Sequence, residues 1–208
     1  MSHYFENDQS LKSQPKTFSI NVGNYSFSFN TNSGVFAKEG LDFGSKVLIN
    51  ELLKVKITGD VLDLGCGYGP VGIILAKHFN IIPDLSDVNE KALILAKTNL
   101  ELNGVKGNII LSDAYENITK KYDYIITNPP IRAGKKKVYE IILDAANYLK
   151  ETGELWIVIR KEQGAKSLLK DIQEVYQTEI IRKNKGFYVI KCQSRWHSVN
   201  FRVKLQVV

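Results

Sequence analysis

Residues 17–31, TFSINVGNYSFSFNT, alternate with a period of two. Phe18, Ile20 and Val22 share one side; past Gly23-Asn24, Tyr25, Phe27 and Phe29 repeat the pattern. Two alternating runs joined by Gly-Asn predict a β-hairpin. From Asp42 to Lys56 the spacing changes, and Phe43, Val47, Leu48, Leu52 and Leu53 recur at helical intervals. From Gly59 onward, short apolar runs alternate with amphipathic stretches. Strands are predicted at 60–64, 81–85, 108–112, 122–127, 154–159 and 187–192, with helices at 70–79, 89–102, 137–150 and 163–175 between them. Pro83 belongs at the start of a strand or in an edge strand, because it cannot donate to a ladder. Near the C-terminus, Phe201, Val203, Leu205 and Val207 alternate again, without a clear turn joining them to the rest.

Strand–helix alternation over this span predicts an α/β fold: a Rossmann-like, doubly wound, mostly parallel sheet of seven strands with helices on both faces. The expected organisation is a hairpin and helix extension over 1–56 packed on the same domain, a core over 57–194, and a tail over 195–208 to which no order is assigned. Ligands of such sheets bind beyond the carboxyl ends of the strands, at the switch point. The candidate chemistry gathers there.

VLDLGCGYGPVG, residues 61–72, is an apolar strand running into Gly65, Gly67 and Gly69 and then Pro70, which suits the first helical position. Glycines let a backbone pass close beneath a ligand. A nucleotide phosphate is disfavoured, because Asp63 stands just before the loop, Pro70 breaks the dinucleotide pattern, and no P-loop lysine follows. Asp63 would instead welcome a ligand carrying an amine, and S-adenosylmethionine is one. Asp87 and Val88 end the second strand, where a carboxylate can accept from ribose hydroxyls. Asp113 and Ala114 end the third and suit an adenine amine. A lone glycine turn could be purely structural; acids at three successive strand ends are harder to explain that way.

ITNPPIRAGKKK, residues 126–137, ends the fourth strand with Asn128-Pro129-Pro130. A residue before proline is driven out of the helical region, so Asn128 is extended. Pro129 has a fixed φ and no N–H. The pair displays two rigid acceptors, the Asn128 side-chain oxygen and the Pro129 carbonyl, which together suit one –NH₂ group. Accepting both hydrogen bonds of a conjugated amine orients its nitrogen toward an electrophile, and positioning then carries most of the catalysis.

Composition narrows the partners. A length of 208 residues with 44% hydrophobic content can bury a core without staples. Cys66 and Cys192 are far apart, and His3, His78 and His197 are scattered, so neither a disulfide framework nor a metal site is expected. The N-terminal stretch lacks the apolar segment of a signal peptide, and no run approaches the ~18 apolar residues of a membrane span. A cytoplasmic protein is expected. A net charge of +6 raises the prospect of an anionic partner, nucleic acid above all. Arg132, Lys135, Lys136 and Lys137 follow the Asn-Pro-Pro loop, Arg160 and Lys161 end the fifth strand, and Arg182, Lys183 and Lys185 flank the next.

With HYF, KTFSINVGNYSFSFNTNSGVFAKEGLDFGS, VLDLGCGYGPVG, DVNEKALILAKTNLELNG, TNPPIRAGK and RKEQGAKS, the chain resembles the class I S-adenosylmethionine-dependent N-methyltransferases over roughly residues 3–192. The match is to the small-domain group that includes the guanine-N2 methyltransferases of 16S ribosomal RNA. The resemblance implies Asp63, Gly65 and Gly67 at the methionine end of the cofactor, Asp87 and Val88 at the ribose, and Asp113 and Ala114 at the adenine. It implies Asn128, Pro129 and Pro130 as the catalytic clamp, with Asn128 also beside the cofactor. Phe36 would lie over the site, and Lys38 and Asp42 would help close it. Substrate contacts are implied for Phe36, Lys38, Ile131, Arg132, Lys135 and Lys161. Many adenine or glutamine N-methyltransferases carry Tyr or Phe where Ile131 stands, which weighs against those substrates, although protein glutamine and a silent RNA-binding module remain alternatives. Many of the tandem relatives hold two such halves; this chain matches the second. The expected partner is ribosomal RNA or the small ribosomal subunit, with no metal, no membrane, and a monomeric protein.

Overall fold

The computed structural model describes residues 15–32, 40–130 and 133–195. Phe36, Lys38, Ile131 and Arg132 lie outside them, as does the predicted tail beyond Arg195.

The hairpin forms as β1 (Pro15–Val22) and β2 (Tyr25–Asn32), antiparallel, with Val22 opposite Tyr25 and Gly23 in the left-handed region at the turn. Helix α1 (Phe43–Leu52) follows, then β3 (Val61–Leu64), α2 (Pro70–Phe79), β4 (Asp84–Asp87), α3 (Glu90–Leu102), β5 (Asn108–Leu111), β6 (Tyr122–Thr127), α4 (Lys135–Tyr148), β7 (Leu149–Arg160), α5 (Ala165–Asp171), β8 (Tyr176–Asn184) and β9 (Phe187–Ser194). The seven-stranded sheet has the order β5-β4-β3-β6-β7-β9-β8. The first five strands are parallel, and β9 runs antiparallel between β7 and β8. The order reverses between β3 and β6, and this is the switch point.

Period-two alternation divides the core in two. Val61, Ile126, Trp156, Val158 and Val189 face a layer built by the hairpin, α1, α2 and α3. Leu62, Ile125, Leu155, Ile157 and Ile190 face the opposite layer of α4 and α5. Both faces of the central strands are therefore dry, which is why these strands read as nearly continuous apolar runs.

The hairpin is docked by side chains that imitate a strand partner. On α3, Asn99 accepts from the Asn30 N–H at 2.7 Å and donates to the Asn30 carbonyl at 3.0 Å and the Tyr68 carbonyl at 2.9 Å. One turn later, Asn103 accepts from Ser28 N–H and donates to the Ser28 carbonyl. Phe27 and Phe29 are buried beneath this seam.

Several boundaries differ from those the sequence predicts. β8 is an additional strand, so Arg182 and Lys183 lie within a strand instead of beside one. α5 covers only Ala165–Asp171: Gly164, in a left-handed conformation, separates its start from the preceding 3-10 turn, and the chain passes into a turn after Asp171. α4 begins at Lys135, so Lys135, Lys136 and Lys137 form a helical first turn and not an open loop. Pro83 immediately precedes β4, as its missing N–H requires.

At the amino-terminal ends of the strands the charges satisfy one another. Lys150 bridges Asp60 (2.6 Å) and Asp123 (2.7 Å), and Lys120 bridges Asp60 (3.0 Å) and Asp84 (3.1 Å). The opposite edge holds the candidate chemistry.

Candidate methyl-transfer site

Thr127 lies opposite Leu64 in the β3–β6 pairing, so Asn128 and Gly65 leave the sheet side by side. The glycine loop is fixed by its neighbour: Gly65 N–H and Cys66 N–H both donate to the Ser86 carbonyl of β4, at 2.8 and 2.9 Å. A Cβ placed on Gly65 or Gly67 would meet nothing within 4 Å. Space therefore stands open above the loop, where a ligand can lie against bare backbone.

Two acids, Asp63 buried and Asp87 half-buried, brace this loop and the helix after it. Asp87 accepts from the Gly67 N–H at 2.9 Å and from the Asn89 N–H at 2.8 Å, tying the loop to the start of α3. Burial pushes its carboxyl above the ordinary range, while those N–H groups pull it back. Asp63 is only 3% exposed and accepts from the Gly72 N–H at 2.8 Å, beneath the first turn of α2. Burial, and to a lesser degree the charge of Asp87, outweigh that bond and raise its carboxyl to about 7. Such a group is readily ionised by a cation brought near it.

A cleft at this edge is lined by Gly65, Asp87, Val88, Asp113, Ala114 and Pro130, among others. Six positions singled out from three strand ends and the Asn-Pro-Pro loop thus meet in one place. Ala114 takes a left-handed φ of 47°, which turns the chain there. The Asp113 carboxylate already pairs with Lys137 at 2.8 Å. That pairing withdraws Lys137 from the cations expected to meet phosphates.

Asn128 is half-buried, Pro129 is buried and Pro130 is exposed. The Asn128 amide nitrogen donates to Asp42 Oδ1 at 3.1 Å and to Ser45 Oγ at 3.2 Å. A carboxylate only accepts, so Asp42 dictates which end of the amide faces it. Both amide hydrogens are thereby engaged, and Oδ1 is turned away as the acceptor. Asp42 is itself the N-cap of α1, accepting from the Ser45 N–H at 3.0 Å. The sequence places Asp42 in a closing role but misses Ser45, Asn99 and Asn103. The signal available for the last two was a pair of asparagines four residues apart on an otherwise apolar helix face.

Lys135 and Lys161 are exposed on this side; Lys135 lies 4.9 Å over the Tyr139 ring and 4.0 Å from Asp171. Among the described residues no cluster of His, Cys, Asp and Glu could hold a metal ion, and no helix is long and apolar enough to cross a membrane.

Comparison with known proteins identifies the family. The uncharacterized protein YbxB of Bacillus subtilis is 42% identical over 196 residues, covering 92% of this chain and 98% of YbxB. Ribosomal RNA small subunit methyltransferase C of Psychromonas ingrahamii is 34% identical over 182 residues, covering 85% of this chain but 51% of that protein, so the chain spans about half of that relative's length. Among solved structures, the Thermus thermophilus 16S rRNA N2 G1207 methyltransferase (RsmC), in complex with AdoMet and guanosine, superposes with a TM-score of 0.77 at 24% identity, covering 87% of this chain and 51% of that one. Residues 26–191 match the family described as methyltransferase small domain. The chain belongs to that family, the group of S-adenosylmethionine-dependent enzymes its motifs resemble.

Proposed function

We propose that this protein is an S-adenosylmethionine-dependent N-methyltransferase that modifies the exocyclic N2 amine of a guanine in small-subunit (16S) ribosomal RNA. One observation carries the reading: Asp42 and Ser45 consume both hydrogens of the Asn128 amide, leaving its oxygen as a fixed acceptor beside an open glycine loop. The substrate class comes from the relatives named as methyltransferase C of the small ribosomal subunit.

Asp63, Gly65 and Gly67 would hold the methionine end of the cofactor, Asp87 and Val88 its ribose, and Asp113 and Ala114 its adenine. The open cradle over Gly65 and Gly67 and the acids around it fit a cationic ligand with hydroxyl groups. When bound, S-adenosylmethionine supplies an electrophilic sulfonium methyl group.

The chain's own contribution is orientation. A guanine N2 amine is planar, and its lone pair is delocalised into the ring. Asn128 Oδ1 and the Pro129 carbonyl accept its two hydrogens, fix the nitrogen and favour localising the lone pair out of the ring plane. As positive charge develops on nitrogen, the same two oxygens stabilise it. Pro130 stiffens the backbone between them, so the acceptors need little reorganisation. No strong base has to act first, because the proton leaves after nitrogen becomes cationic.

In this reading residues 57–194 are the transfer core, and residues 1–56 are the extension that brings Asp42 to Asn128. Lys135 and Lys161 meet RNA phosphates at the rim, and the protein works as a cytoplasmic monomer. The test is Asn128→Ala: transfer to RNA is lost while cofactor affinity stays within about twofold. Parallel loss of both would remove the clamp from the account.

A further inference from the structure

Next to the amide clamp the surface carries two aromatic rings and two cations that the transfer chemistry does not use. Phe43 opens α1 directly after Asp42 and is 36% exposed; Phe187 opens β9 and is half-buried. Their ring centroids are 5.5 Å apart, tilted by 52°. The Arg160 guanidinium lies 5.0 Å from the Phe187 ring centroid, and the Lys185 ammonium lies 5.4 Å from that of Phe43. The Lys161 N–H donates to the Gly186 carbonyl at 2.7 Å, which ties the end of β7 to the β8–β9 turn and holds the cluster together.

The cluster borders the clamp closely. A Cβ on Gly44 would sit 2.9 Å from the Phe187 ring and 3.2 Å from Asp42 Oδ1, the atom that orients Asn128. Only the width of one missing side chain separates the rings from the catalytic amide's anchor.

Charge separates this cluster from two other basic residues of the rim. Lys137 pairs with Asp113, and Arg182 lies 3.9 Å from Glu51. Among the described residues, neither Arg160 nor Lys185 pairs with a carboxylate; each rests on a ring. One exposed and one half-buried ring with a guanidinium plane, and unneutralised cations beside them, are what successive bases and phosphates of single-stranded nucleic acid can stack on and pair with.

We infer that Phe43, Phe187, Arg160 and Lys185 form a stacking platform for an unpaired RNA nucleotide flanking the target guanosine. A target base must leave its stack to reach Asn128. A neighbour taken up on the platform would offset the lost stacking and hold the strand open. Stacking of this kind reads no base identity, because every base has a π face. This inference rests on the RNA-methyltransferase reading above.

The experiment uses a fluorescein-labelled single-stranded RNA containing one guanosine, and the same strand with abasic sites on both sides of it. Anisotropy titration and methyl transfer are measured on each. The wild-type protein binds the intact strand about tenfold or more tighter than the abasic one. Phe43→Ala/Phe187→Ala erases that difference while S-adenosylmethionine affinity, the control for folding, is retained. Phe187→Tyr, which keeps a ring, behaves as wild type. Lys185→Gln lowers the salt dependence of binding by about one phosphate contact. A wild-type protein that methylates RNA yet binds both strands equally overturns the platform and leaves the function standing. A wild-type protein that neither binds nor methylates any RNA overturns both.

Discussion

Asp42 Oδ1 accepts from the Asn128 amide nitrogen at 3.1 Å, across 86 positions of sequence. That contact joins the N-cap of α1 to the end of β6 and decides which face of the amide the substrate meets. Asp42→Ala should therefore act twice. Loss of the cap costs about 1 kcal/mol of stability, read from the shift in the thermal midpoint. Loss of orientation lowers kcat about 100-fold at unchanged cofactor affinity. Asp42→Asn is the rescue, because its one side-chain oxygen can still cap α1 and accept from the Asn128 amide nitrogen, so both losses should largely disappear. Full activity in Asp42→Ala would show that Asn128 needs no anchor from Asp42.

Asp87→Ala removes the acceptor for both Gly67 and Asn89 N–H groups. The glycine loop loosens, and cofactor affinity should fall at least about tenfold by titration calorimetry, the equivalent of one charge-assisted hydrogen bond. An unchanged affinity would place the ribose elsewhere.

Asp63 gives the apoprotein a pH signature. With its folded pKa near 7 against an ordinary 3.8, the folded state keeps a proton that the unfolded chain has released. Stability therefore falls as pH rises from about 4 to about 7 and levels off above. Asp87 shifts the same way and adds to the slope. Asp63→Asn keeps an acceptor for the Gly72 N–H and removes the charge, so thermal midpoints measured from pH 4 to 8 should flatten. An unaltered slope would mean Asp63 is ionised throughout.

The hairpin's attachment is tested at Asn99, which is wholly buried and makes three hydrogen bonds to backbone. Asn99→Ala strands the Asn30 N–H and two carbonyls and should destabilise by about 2–3 kcal/mol in urea titration. A loss below about 0.5 kcal/mol would show that the hairpin docks through its apolar face alone.

Much of this was legible in the sequence because burial leaves a period. The hairpin, the glycine loop and five parallel strands announce themselves through alternating or continuous apolar runs. β8 does not: most of its side chains are exposed or half-exposed, and Arg182, Lys183 and Asn184 give it the polar look of a loop. Edge strands carry such charge to discourage pairing with other chains. Local patterns likewise show which residues sit at strand ends, but not which of them bond to each other. The Asp113–Lys137 pair and the Asp42–Ser45–Asn128 group are products of packing between distant segments. Arg182 and Lys183 read as free cations in a basic run; the fold gives Arg182 a carboxylate neighbour and lays Lys183 over the Tyr188 ring.

The most direct measurement is transfer of labelled methyl from S-adenosylmethionine to small-subunit ribosomal RNA lacking its own modifications, followed by digestion and mass spectrometry of the labelled nucleoside. The account predicts N2-methylguanosine, and its disappearance with Asn128→Ala. Label recovered on protein glutamine, or on a nucleoside other than N2-methylguanosine, would contradict it.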